Sequence, residues 1–380
     1  MQKEEKKVEY LELIYDLIFV YIIGRNNSLM HHIENGFVSG WTFLTYLLCT
    51  LAIIQIWNFS TFYINRFGKN GVREHVFLFI NMYLLYYMAE GTRTAWQDYF
   101  NQYNIAWALI LINIGVQYLI ELREHREAPW EVAPIKRTVA ILFGEAAIIL
   151  IGIPIYHATG VSIALIPILF GIIATGLSTG INRLLSTDFA HLSERAMLYV
   201  VFTFGEMIIA IAAYFEGAFN LSAVYFSLMA FLIVVGLFLS YGILYNRILD
   251  REKETVGTGY MMIHVVLIFA LNNITTALEF MREEEVALWP KTLFLIGSFL
   301  LYFVFLFLTG RYAKKRLDFS RRFRWLLFGI AASFVALMLL FRTRMYLNIA
   351  ITVLYIFGIF LMMYRFSEAV KKELPAEEGE

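Results

Sequence analysis

The sequence predicts an all-α fold, a polytopic bundle of about twelve transmembrane helices. Three observations predict it. The 380-residue chain is 59% hydrophobic and only 16% charged, whereas soluble domains run at about 45–50% apolar and about 25% charged. Its apolar residues fall in long unbroken runs, and a helix needs about 20 such residues to cross the hydrocarbon. A membrane barrel would instead alternate polar and apolar positions. Lys and Arg also gather on alternate connections, as they do in cytoplasmic loops.

The apolar runs place helices at 11–31, 40–63, 73–90, 104–121, 137–157, 161–181, 195–215, 221–245, 258–280, 289–309, 323–341 and 345–365. The first is the least hydrophobic. No small-residue cleavage site follows its charged start, so it reads as a retained helix and not a signal peptide. With the N-terminus inside, the cytoplasmic segments carry 3, 3, 4, 2, 3, 7 and 3 basic residues. The outer loops carry 0, 1, 0, 0, 2 and 2. A missed or invented helix in the first half would invert that alternation. Twelve spans of the cell membrane, with both termini cytoplasmic, are therefore expected.

Three matches recur in order. Glu12 and Glu194 are 182 residues apart, Asn65-Arg66 and Asn246-Arg247 are 181 apart, and Leu-Phe-Gly-x-Ala-Ala starts at Leu142 and again 185 residues later at Leu327. They predict two six-helix halves, 1–184 and 185–380, the second ending in a short cytoplasmic tail. An even helix number makes such halves parallel.

Composition narrows the function classes. The 31 basic and 31 acidic residues cancel, so nothing points to nucleic acid. The single cysteine, Cys49, excludes a disulfide framework. No His-Glu-x-x-His, Gly-x-Ser-x-Gly or Walker A motif occurs, so neither an enzyme nor a cofactor is expected. His31, His32, Glu34 and His157 fall at the outer membrane edge. Adjacent helical histidines diverge by about 100°, so solvated side chains are preferred over a metal site.

An ionisable residue at bilayer depth costs about 2.5–3.5 kcal/mol or more, and so asks for a reason. Five are expected there: Asp16 and Arg25 in the first helix, Glu145 in the fifth, Glu206 in the seventh and His264 in the ninth. Glu12 and Asp16, four apart, share a helix face. Arg25 lies about half a turn off that face and is expected to pair with a carboxylate on another helix. Gly144-Glu145 and Gly205-Glu206 repeat one dipeptide, in which glycine admits a close neighbouring helix. The five can be read as an ion or proton path, with Arg25 as counter-charge. They can also be read as architecture, one buried ion pair plus interhelical hydrogen bonds from residues such as Gln55, Asn81 and Asn113. Lys314, Lys315, Arg316, Arg321, Arg322 and Arg324 form a basic cluster suited to anionic lipid headgroups.

Two stretches resemble a known family. Glu12-Leu-Ile-Tyr-Asp16-Leu-Ile-Phe-Val resembles the opening motif of the bacterial low temperature requirement protein A (LtrA) family. His191-x-x-Glu194-Arg195, followed by Gly205-Glu206, resembles that family's second motif. Ile14-Tyr15 stand where the family tends to have two Phe. The resemblance implies a multi-pass bacterial membrane protein linked to growth in the cold, and no established reaction. A transporter or channel for an ion, proton or small solute is the leading expectation. A non-transport scaffold that adapts the membrane to cold is the alternative.

Overall fold

The computed structural model describes residues 6–92, 96–215, 220–314 and 320–372. Lys315 and Arg316 of the expected basic cluster lie outside them. The described residues form thirteen α-helices, α1 to α13, and one two-stranded hairpin. A helix occurs at every expected position. The chain divides into two compact units, the first of residues 1–202 with 254–265, the second of 203–253 with 266–380.

In the first unit, α1 (Tyr10–Asn27) leads through a 3-10 turn (Ser28–His31) into β1 (Ile33–Glu34) and β2 (Phe37–Val38). This antiparallel hairpin pairs Ile33 with Val38 and Glu34 with Phe37. Its turn is Asn35-Gly36, both at positive φ, 53° and 84°. Asn-Gly is the preferred two-residue hairpin loop because both positions tolerate that backbone. The hairpin was not expected from the apolar runs, which register only helices. Next come α2 (Gly40–Phe67), α3 (Val72–Gly91), α4 (Trp96–Glu124) and α5 (Pro129–Thr159). Ser39 caps α2 by accepting from the Thr42 amide at 3.1 Å. α1 packs on α2 and α3, α4 lies between α3 and α5, and α2 also meets α4. Of the long apolar helices of this unit, α2 is the most deeply buried.

The sixth expected helix is broken into α6 (Leu165–Leu177) and the short α7 (Thr179–Asn182). The residues before α6 form a turn, in which the Ala164 amide donates to Ser162 Oγ at 3.3 Å. At the break Ser178 Oγ donates to the Ala174 carbonyl at 2.5 Å and accepts from Arg137 Nε at 2.7 Å. The seventh helix, α8 (Phe189–Ile211), begins six residues earlier than the sequence predicts. Asp188 is the reason: its carboxylate accepts from the His191 amide at 3.1 Å and caps the helix there. Arg195 consequently lies in the second turn of the helix, fully buried, and not at its first residue.

The second unit holds the end of α8, α9 (Leu221–Ile243) with a π-turn to Ile248, most of α10 (Thr258–Arg282), α11 (Leu288–Leu308), α12 (Arg321–Leu340) and α13 (Met345–Lys372). Here α13 packs on α9 and α12, and α11 on α12.

Eight of the described helices, α2, α4, α5 and α9 to α13, are long and apolar enough to cross a membrane. The protein is an integral membrane protein of many helices. Of the other expected spans, α6 has 13 residues, while α1, α3 and α8 each carry three Asp, Glu or Arg side chains. Two of those three build the site described next.

Candidate functional site

The strongest concentration of buried charge lies in the first unit, where α1 and the start of α8 face each other beside α2. Each helix contributes an i, i+4 pair, which places both side chains on one face. From α1 come Glu12 and Asp16, and from α8 come His191 and Arg195. All four are at most 3% exposed. Arg195 joins the two carboxylates: Nη1 donates to Glu12 Oε2 at 2.5 Å, Nη2 to Asp16 Oδ1 at 2.5 Å, and Nε to Asp16 Oδ2 at 3.2 Å. Asp16 also accepts from the Trp57 indole N–H at 2.9 Å. The Trp57 ring in turn lies 4.5 Å from that of Tyr199. Charge-assisted, multidentate bonds of this kind are the strong ones among hydrogen bonds.

The end of α2 grips the start of α8. Asn65 accepts from the Asp188 amide through Oδ1 at 3.1 Å and donates to the Asp188 carbonyl through Nδ2 at 2.8 Å. These two bonds fix which end of the side-chain amide is nitrogen. The same Nδ2 lies 3.0 Å from His191 Nδ1. An amide nitrogen can only donate, so Nδ1 is the acceptor and the His191 proton sits on Nε2. From there it points to Glu12 Oε1 at 3.4 Å. Two carboxylates thus face one guanidinium within the cluster.

Lys6, ahead of α1, lies on that side. Its ammonium caps α2 by donating to the Ile64 carbonyl and, at 2.9 Å, to that of Gly68, a favourable place for a cation at a helix C-terminus. Burial pushes its pKa below the ordinary 10.5, while the nearby charge of Glu12 pulls the other way. Lys6, Glu9, Glu12, Lys69 and Glu74 line a cavity of about 290 Å³. Glu12 is the one member of the cluster that reaches it.

The five residues expected at depth do not converge. Asp16 is sealed in the Arg195 cluster. Arg25 does pair with another helix, Glu90 of α3 at 3.5 Å, but both side chains are over a third exposed. Arg25 is therefore not the counter-charge to Asp16; Arg195 is. Being half a turn off the face of Asp16, Arg25 reaches α3 and not the Arg195 cluster. His264 is fully buried, and its Nδ1–H donates to the Tyr260 carbonyl of its own helix at 2.9 Å. Glu206 belongs to the second unit, half-buried, with Glu279 of α10 as its charged neighbour. Of the remaining motif residues, Glu194 is half-buried, and a Cβ at Gly205 would meet nothing within 4 Å. Arg321, Arg322 and Arg324 are exposed, as is Lys314. Of the outer histidines, His32 pairs with Glu34 at 3.2 Å and His157 bonds Asn101 at 2.8 Å.

Glu145, on α5, has a different setting from the paired carboxylates. It is fully buried, and its Oε2 accepts from Gln55 Nε2 of α2 at 3.2 Å. Glu145 Oε1 and Gln55 Oε1 have no hydrogen-bond partner among the described residues. A Cβ on Gly171 of α6 would lie 1.9 Å from Gln55 Nε2 and 2.3 Å from Glu145 Oε2. Gly171, and not the adjacent Gly144, is thus the glycine that lets a helix close over this carboxylate. A Cβ at Gly144 would meet only the Phe170 ring, at 3.2 Å.

The family model described as bacterial low temperature requirement A protein (LtrA) matches residues 7–358, nearly the whole chain. The chain belongs to this family. Its match includes Glu12, Asp16, His191 and Arg195 and begins just after Lys6. The two motifs that are far apart in the sequence meet in this family member as facing pairs, Glu12 and Asp16 against His191 and Arg195. No curated protein and no solved structure matches the chain.

Sequence reasoning missed Trp57, Asn65, Asp188, Lys6, Gly171 and Glu279. The spacing of His191 and Arg195, four apart like Glu12 and Asp16, was the available signal for the facing pairs. The others are ordinary residues of their helices and connections until the packing brings them together.

Proposed function

We propose that this LtrA-family protein moves protons or a small cation across the cell membrane, with its buried carboxylates divided between two jobs. Glu12 and Asp16, held by Arg195, pin α1 to α8 and stay fixed. Glu145 is the ion-handling group of the first unit. The observation that carries this is the contrast between them. Asp16 has a guanidinium and an indole on it, whereas Glu145, equally buried, has one neutral amide and a bare oxygen. An ionised carboxylate left that way inside a membrane protein is costly. A proton or cation arriving at Oε1 removes the cost, and its departure restores it, which is the property a carrier site needs.

Glu206 beside Glu279 gives the second unit an acidic pair. Two carboxylates at one place share a proton or take up a cation more readily than either alone. The charge asymmetry of the loops supports cytoplasmic termini and twelve spans, and the recurring motifs support two parallel halves. A scaffold role would favour the Arg195 cluster alone and leaves Glu145 without a reason.

The test is purified protein in liposomes, scanned for proton, sodium and potassium flux under an imposed gradient. Flux of one of these above that of empty liposomes, reduced at least ten-fold by Glu145→Gln, is the expected result. Flux equal to that of empty liposomes for all three ions would contradict the proposal.

A further inference from the structure

A groove of about 540 Å³ runs between α11, α12 and α13 in the second unit. Its walls are apolar, including Leu300, Val304, Phe307, Leu327, Phe328 and Ala331, and among the described residues its charged lining residues are Arg311 and Arg324. We infer that this groove holds an acyl chain of an anionic phospholipid, with the lipid phosphate on Arg311 and Arg324.

Four observations favour that occupant. Both arginines are exposed, and neither forms an ion pair with a described residue. Among the described residues no acidic side chain lines the groove, and the charged ones there are both positive. Along α11 and the 3-10 turn that follows it (Thr309–Tyr312) the lining runs from Leu300 to Arg311, eleven residues, or about 16–18 Å at 1.5–2.0 Å per residue. That is about half of the ~30 Å hydrocarbon thickness, the depth of one leaflet. Finally, α12 is the least packed of the eight apolar helices, with 17% of its window buried, so the groove wall it forms is turned toward lipid. Cations at headgroup level with an apolar channel one leaflet deep complement a molecule that is anionic at one end and hydrocarbon for the rest. A soluble phosphate would not use the channel, and a zwitterionic lipid would bring its own cation against the arginines, which an anionic lipid does not. The adjacent Arg321 and Arg322 are exposed but do not line the groove, which provides an internal control.

The experiment is native mass spectrometry of the full-length protein in neutral detergent. It is titrated with phosphatidylglycerol, or with phosphatidylcholine carrying the same acyl chains. Phosphatidylglycerol should bind more tightly. An arginine at an anionic headgroup is worth about a five-fold change in affinity. Arg311→Ala with Arg324→Ala should therefore weaken phosphatidylglycerol about 25-fold, toward the level of phosphatidylcholine. Arg321→Ala with Arg322→Ala should change it less than two-fold. Val304→Trp, a substitution at an exposed groove position, should weaken both lipids by filling the channel. Glycerol phosphate, the headgroup without chains, should not displace the lipid. Equal binding of the two lipids to the wild-type protein would overturn the inference. So would equal losses from the two arginine pairs, displacement by glycerol phosphate, or a protein dimer in place of the lipid adduct.

Discussion

Replacing Arg195 by methionine removes one guanidinium from two buried carboxylates. Three hydrogen bonds to Glu12 and Asp16 are lost together, while Trp57 still donates to Asp16. Breaking a buried pair from one side costs about 3–5 kcal/mol, because the stranded charge keeps its desolvation penalty. Protonation sets a ceiling. Neutralising a carboxyl of ordinary pKa near 4 at pH 7 costs about 3 units at 1.36 kcal/mol each, about 4 kcal/mol per group. The two carboxylates together therefore bound the loss at about 8 kcal/mol, and relaxation around Asp16, which keeps its indole, brings the expected value to about 4–6 kcal/mol. At about 2–4 °C per kcal/mol for a unit of this size, the melting temperature in detergent should fall by on the order of 10–20 °C. The decisive arm is the triple variant Arg195→Met, Glu12→Gln, Asp16→Asn. It has no buried charge left in the cluster, and uncharged replacement of a buried ion pair is often neutral or better. It should recover most of the lost melting temperature. An Arg195→Met protein melting within 2 °C of wild type, or a triple variant no more stable than the single one, would refute the reasoning.

Gly171→Ala should destabilise by about 1–3 kcal/mol, the usual cost of overpacking, because its Cβ would fall on the Gln55–Glu145 pair; a melting temperature equal to wild type would show that α6 does not close there. Ring nitrogen shifts of labelled His191 should report a proton on Nε2 and none on Nδ1, and Asn65→Leu should abolish that preference; the reverse tautomer would break the chain from Asn65 to Glu12. Lys6 is a group with a depressed folded pKa, so its contribution to stability is fully present above 10.5 and is lost as pH falls through its folded value. A melting profile of Lys6→Met should therefore lack part of the rise seen in wild type on approaching pH 10.5; parallel profiles would contradict the burial of that ammonium. Reporter fusions at Gly160 should read outside and at Lys253 inside, and an outside reading at Lys253 would break the proposed topology.

The helices were legible in the sequence because lipid imposes one simple demand, long apolar runs, which eight of the described helices meet in full, and a helix lies at every expected position. What defeated that reading was local polar chemistry. The Asn35-Gly36 hairpin depends on two positive-φ residues, and the early start of α8 depends on the Asp188 carboxylate. Neither leaves a mark on hydropathy. The site was half legible. Glu12 and Asp16 share a face by spacing alone, and the motif around Arg195 was visible. Their pairing was not, because the late helix start put Arg195 at the cytoplasmic edge, as the first residue of its helix, which left Arg25 as the apparent counter-charge. Glu145 stood out by depth, but its isolation from any cation depends on what α2 and α6 bring beside it.

The division between fixed and ion-handling carboxylates can be read directly by infrared difference spectroscopy of the reconstituted protein across pH. The account predicts a carboxyl C=O band that responds to pH in the wild type, vanishes in Glu145→Gln, and survives in Asp16→Asn. A band that persists in Glu145→Gln and disappears in Asp16→Asn would reverse the two roles and contradict the account.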